Sequence, residues 1–145
     1  MLRHLLITAL GFVVLTVTAD SASAQSFSSD TNMGGIFNRP SSLTEQSGNL
    51  VKYLDEPFYV TTAGSYSFTS TTSGWDGYLL LYSHGFDPEN PLANLLAGDD
   101  DDGAFHISTI NTDGTGNLYG VPGDLIPGTQ YYFVQTGWDE DESGA

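Results

Sequence analysis

The sequence predicts an all-β fold, an antiparallel β-sandwich or jelly roll, behind a cleavable leader. Three observations predict it. Beyond residue 50 no stretch sustains a helical apolar period. Short alternating or continuous apolar runs recur instead, broken roughly every ten residues by Gly, Pro, Asn and Asp. Aromatics make up 12% of the chain against 14% charged residues, a balance that suits a packed domain better than an acidic disordered tail.

The leader is read from three features. Arg3 and His4 give a basic start, residues 5–17 are almost wholly apolar and uncharged, and Ala22-Ser23-Ala24 places small residues where a signal peptidase reads them. The apolar run is shorter than the roughly 20 residues that cross a bilayer, and Asp20 follows it soon after. The expectation is a signal peptide over 1–24, cut after Ala24. The product would be secreted, periplasmic or on the cell surface, with no membrane insertion after cleavage. The chain has no cysteine, so disulfides cannot brace it. Its formal net charge is −15, and cleavage removes Arg3 and Asp20 together and leaves that value unchanged. Such a surface repels nucleic acid and attracts cations.

Residues 25–49 form a loose lead-in rich in Ser, Thr, Asn and Gly, with room for one short strand, in which Arg39-Pro40 is expected to break regular structure. The β-domain is placed at 50–145. Leu50–Leu54 and Phe58–Thr61 read as two short strands around Asp55-Glu56-Pro57. Tyr66–Thr71 alternates aromatic and hydroxyl residues, as a strand with one wet face does. Gly74-Trp75-Asp76-Gly77 turns the chain into Tyr78–Tyr82, a continuous apolar run expected at the centre of a sheet covered on both faces. Two prolines make 86–91 a loop. Leu92–Ala97 reads as a strand or one helical turn, Asp99–Asp102 as an acidic loop closed by Gly103, and Phe105–Ser108 as renewed alternation with His106 outward. Residues 111–123 form a Gly/Asn/Asp-rich connection anchored by Leu118, Tyr119 and Val121. Pro127-Gly128 fits a type II turn leading into the strand Gln130–Gln135.

With these elements in place, the chain from about Leu50 onward resembles the bacterial pre-peptidase C-terminal domain family. The resembling pieces are Gly64–Phe68, Trp75–Tyr82, Phe86-Asp87-Pro88, Asn94–Asp101 and Leu125–Val134. The resemblance implies a jelly-roll-like antiparallel β-sandwich of the kind that accompanies secreted proteases and other surface proteins. Relatives include the collagen-binding domains of clostridial collagenases, some of which bind calcium. Two departures stand out. No catalytic domain precedes the module here. Family members also carry a further strand after the last acidic loop, where this chain stops, so the expected sandwich lacks its last strand.

The chemistry-bearing residues are mostly acids. Asp99, Asp100, Asp101 and Asp102, with Asp76 and Asp113 (and Asn111) in other loops, could supply the oxygen ligands that calcium requires. In an extended loop, alternate side chains would share one ion: Asp99 with Asp101, or Asp100 with Asp102. The competing reading is a solvated acidic loop. Asp139–Glu142 is a weaker candidate of the same kind. His84 and His106 are not set in a zinc motif. No nucleophile elbow or phosphate-binding loop occurs, so catalysis is not expected. Trp75 and Trp138, each between Gly and Asp, either plug the ends of the core or stack on a ligand. The leading expectation is a non-catalytic module that binds an extracellular protein or polysaccharide, with calcium as its cofactor. A structural protein that assembles through an unpaired edge strand is the alternative, and a small carboxylate hydrolase ranks third.

Overall fold

The computed structural model describes residues 14–19, 22–28, 30–102 and 106–145. Gly103, Phe105 and the first part of the predicted leader lie outside them. The chain is an all-β antiparallel sandwich with one turn of 3-10 helix at Thr31–Met33. Its strands are β1 (Val14–Ala19), β2 (Ala22–Phe27), β3 (Ile36–Pro40), β4 (Gln46–Phe58), β5 (Tyr66–Thr71), β6 (Gly77–Ser83), β7 (Leu95–Asp99), β8 (Ile107–Asn111) and β9 (Tyr131–Gly137). A four-stranded sheet runs β2-β1-β5-β8 and a five-stranded sheet runs β3-β4-β9-β6-β7. The chain crosses between sheets at β2–β3, β4–β5, β5–β6, β7–β8 and β8–β9, which gives the jelly-roll character.

β6 lies in the interior of the larger sheet, between β9 and β7, and all of Gly77–Tyr82 is buried. Strand side chains alternate, so its apolar run divides into two sets. Leu79 and Leu81 join Phe58, Phe68, Ile110 and Phe133 in the core between the sheets. Tyr78, Leu80 and Tyr82 face the other way and pack with Phe37, Val51 and Val134. The sheets curl into a half-barrel. Tyr119, bridged to Gly98 of β7, donates its hydroxyl to the carbonyl of Pro40 on β3, 3.3 Å away. The two edges of the five-stranded sheet are thus tied across its second apolar face. Gly98 is needed there, because a side chain would collide with the Tyr119 ring.

Several expectations change. The lead-in carries the one short strand allowed for it, but that strand is packed: β3 occupies 36–40, Phe37 is core, and Arg39 is 2% exposed. Arg39-Pro40 ends this strand with a register shift instead of preventing it. Residues 50–58 form one strand, not two. β4 pairs with β3 up to Lys52 and with β9 from Tyr53 to Phe58. Pro57 is tolerated where the pairing with β3 has ended. The apolar patch before the acidic run is β7, and Asp99 is its last residue. Leu118 and Val121 are 54% and 70% exposed, which leaves Tyr119 as the anchor of its loop. At Pro127-Gly128 the expected turn forms, with Gly128 at φ 85°. β1 and the first half of β2 fall within the segment read as a leader.

Phe133 stacks on Phe58 at 4.1 Å and meets Phe68 edge-on at 4.6 Å. Phe133→Ala is expected to destabilise the domain by about 3–5 kcal/mol, the range for large core aromatics, as read from denaturant midpoints.

Candidate functional site

The two Gly-Trp-Asp segments meet. β6 and β9 pair from Gly77↔Gly137 onward, and the Trp138 amide donates to the Asp76 carbonyl at 3.1 Å. The loops of 74–76 and 138–142 therefore share one rim of the sandwich. Polar groups inside the core support this end. Ser70 donates to the Gln135 side chain, and the Thr72 hydroxyl donates to the Trp75 carbonyl at 2.6 Å. Ser108 donates to the carbonyls of Gly77 and Asp100. His106 is exposed, and its Nδ1–H donates to the Trp75 carbonyl at 2.9 Å.

Three carboxylates converge on this rim. Asp76, Asp100 and Asp101 each offer an oxygen, and these atoms all lie within 4.8 Å of one another. Asp76 Oδ1 and Asp100 Oδ1 are buried and lack a hydrogen-bond partner among the described residues. Glu142 closes the side, its carboxylate accepting from the Asp76 amide at 2.7 Å. Of the acids after β9, Glu142 is thus held at the rim, whereas Asp139, Glu140 and Asp141 are exposed. Gly144 exchanges hydrogen bonds with Thr31, and Ser143 donates to Asn32.

The acidic run divides by position. Asp99 is 2% exposed, and its two oxygens accept from the amides of Thr109 (2.8 Å) and Leu118 (3.0 Å), tying β7 to β8 and to the following loop. That is a structural clasp, and Asp99 is not among the three carboxylates that converge. Asp102 is exposed and outside the trio. Asp113 is exposed and accepts from the Thr115 amide at 2.9 Å. Neither expected pairing of alternate acids occurs, because the strand ends at Asp99 and the backbone turns, so the neighbours Asp100 and Asp101 point together. His84 follows the far end of β6, at φ 63°, and borders a shallow pocket with Asp124 and Tyr131. It shares no site with His106.

Arg39 is the cation that sequence reasoning passed over. Its guanidinium lies over two adjoining rings, 4.2 Å from the centroid of Tyr78 and 4.5 Å from that of Trp138. It also donates to the carbonyls of Pro40 and Trp138, both at 3.1 Å. Stacking of this kind contributes roughly 0.5–2 kcal/mol per ring. The available signal was scarcity, since Arg39 and Lys52 are the only Arg or Lys beyond residue 24. The tryptophans separate: Trp75 is 7% exposed, whereas Trp138 is 41% exposed. Only Trp138 offers an accessible ring face, fixed from behind by Arg39.

Burial, with Asp101 and Asp76 close by, pushes the Asp100 carboxyl up to about 7, and Arg39 only partly opposes this. Burial also raises Asp76, reinforced by Asp101 and Glu142. Such an array resists ionisation and would gain from a cation that offsets its charge. Comparison with protein-family models, with curated proteins and with solved structures gives no match.

Two measurements follow from this geometry. The folded chain holds a proton on Asp100 that the unfolded chain releases near 3.8. In chelator-treated protein, stability is therefore expected to fall as pH rises from about 4 to about 7. Asp100→Asn should flatten that fall, and an unchanged slope would remove Asp100 as its source. Acrylamide should quench emission from Trp138 and spare Trp75, so Trp138→Phe should abolish most of the quenchable signal.

Proposed function

We propose that this chain is a non-catalytic, exported β-sandwich module that binds an extracellular polysaccharide or protein partner and is braced by a divalent cation, calcium by preference. One observation carries the reading: the accessible Trp138 ring, backed by Arg39, shares a rim with Asp76, Asp100 and Asp101. A rigid aromatic plate with a polar surround is a common way to hold a sugar ring or an apolar side chain at little entropic cost. Orphaned carboxylate oxygens beside it suit a hard cation with oxygen ligands. In this role Asp76, Asp100 and Asp101 would hold the ion, and Glu142 would orient the Asp76 loop. The ion would supply charge and rigidity, not reaction chemistry. The similarity to pre-peptidase C-terminal domains supports the same class of function. The leader-like segment supports export, and no helix among the described residues is long and apolar enough to cross a membrane.

A cation held at ten times its Kd should stabilise the folded state by about 1.4 kcal/mol, raising the melting midpoint on the order of 5 °C. Calcium is expected to do this and magnesium, which demands a tighter octahedral shell, is not. Asp100→Asn should remove the calcium effect. Equal responses to both ions would reduce the site to a solvated acidic cluster.

Binding is tested separately, by affinity electrophoresis in gels cast with soluble polysaccharides and by retention on immobilised matrix proteins. Trp138→Ala is expected to weaken the retained interaction by about 30-fold, the scale of a central aromatic contact. Retention indifferent to Trp138, or no retention on any surface, would overturn the binding role.

A further inference from the structure

β5 receives one of its two neighbours from the leader. On one side it pairs with β8, from Ser67↔Asn111 to Thr71↔Ile107. On the other it pairs with β1 over its full length, from Val14↔Thr71 to Ala19↔Tyr66. β1 lies wholly within residues 1–24, so cleavage after Ala24 removes it together with the first half of β2. This step rests on the leader reading given above. It leaves a six-residue ladder edge on a strand whose Tyr66, Phe68 and Ser70 are 7%, 0% and 1% exposed.

That edge carries none of the devices that keep edges apart. It has no lysine, no proline and no bulge against either neighbour. No charged residue occurs anywhere between Glu56 and Asp76, or within β8. In a chain of net charge −15, this strand pair is a place where a second copy can approach without carboxylate meeting carboxylate at the contact. The strand also complements itself. An antiparallel two-fold pairing with Phe68 opposite Phe68, or Thr69 opposite Thr69, keeps inward residues opposite inward residues, as the two-residue period requires. Either register continues the buried Tyr66-Phe68-Ser70 row across the junction.

We infer that the β5 edge vacated by leader cleavage pairs with β5 of a second copy, so that the leader strand caps an assembly edge in the precursor. The full chain would be produced in an exporting bacterial host, and its N-terminus determined by mass spectrometry. The leader-bearing form would be prepared by cytoplasmic production of the same chain. Both would be compared by sedimentation velocity at about 0.15 M salt, where distant charges are screened. The processed protein beginning at Gln25 is expected to be a dimer, and the precursor a monomer. Ser67→Lys and Thr71→Lys, which place charge on the outward face of the edge, should weaken the processed dimer at least tenfold and leave the thermal melt cooperative. A processed monomer with a cooperative melt would overturn the inference, as would a dimer indifferent to both lysines. An exported product that retains residues 1–24 would overturn it as well, since β1 would then be a resident strand. Loss of cooperative melting on processing would do the same, by showing that the core requires β1. The calcium response and the Trp138 contact are read at the rim formed by the 74–76 and 138–142 loops, not at the ladder edge of β5, so those readings are tested separately.

Discussion

The architecture follows from one constraint: β6 is apolar on both faces, and a second sheet can cover only one of them. Leu79 and Leu81 are met by the four-stranded sheet. Tyr78, Leu80 and Tyr82 have no opposing layer, so the five-stranded sheet covers them by curling and closing its own edges through Tyr119 and Pro40. Without disulfides, this two-sided burial is the main source of stability. At about 25 cal/mol per Å² of apolar surface, a strand buried on both faces contributes far more than one with a wet side. The curl also has a consequence for the rim. It brings Arg39 from one edge strand onto Tyr78 at the sheet's centre, and so beneath Trp138.

The electrostatics of the rim follow from that placement. A buried guanidinium is costly unless its charge is answered. Here the answers are two ring faces and two backbone carbonyls, and the nearby carboxylates lower its potential further. One cation cannot offset Asp76, Asp100, Asp101 and Glu142 together, and the raised Asp100 carboxyl is the visible result. The rim thus retains an excess of negative charge next to a rigid aromatic surface. A proton relieves that excess at mildly acidic pH, and a divalent cation would relieve it at neutral pH. The two compete for the same oxygens, which is why the pH slope and the calcium response probe one array from opposite directions.

Legibility in the sequence tracked how local each determinant is. β5, β6 and β9 were readable because alternation, or its absence, is a property of consecutive residues. The Pro127-Gly128 turn was readable because one residue had to take positive φ. The unbroken β4 was not, since whether Asp55-Glu56-Pro57 interrupts a strand depends on where β3 stops pairing. β3 itself was hidden in polar composition, with Phe37 and Arg39 made core by a sheet curl that no local pattern encodes. The acidic run shows the same limit most sharply. Four identical residues differ only in the backbone beneath them: Asp99 still belongs to β7 and turns to the Thr109 and Leu118 amides, while Asp100 and Asp101 lie past the strand end.

The division within the acidic run joins the structural and functional roles of the rim. Asp99 fixes where β7 ends by holding β8 and the loop that carries Tyr119. The position of Asp100 depends on that end, and Ser108 of β8 holds the Asp100 carbonyl from the other side. The trio is therefore set by backbone and buried hydroxyls, not by mutual attraction among its members, which repel. A site assembled against its own electrostatics needs a scaffold that does not yield. The polar interior of Ser70, Thr72, Ser108 and Gln135 provides it at this end of the sandwich. Those buried hydroxyls would add nothing in a plain spacer domain that leucine or valine would not supply more cheaply. Their hydrogen bonds beneath the Trp75 and Asp76 loop hold that loop against the repulsion of the carboxylates it carries.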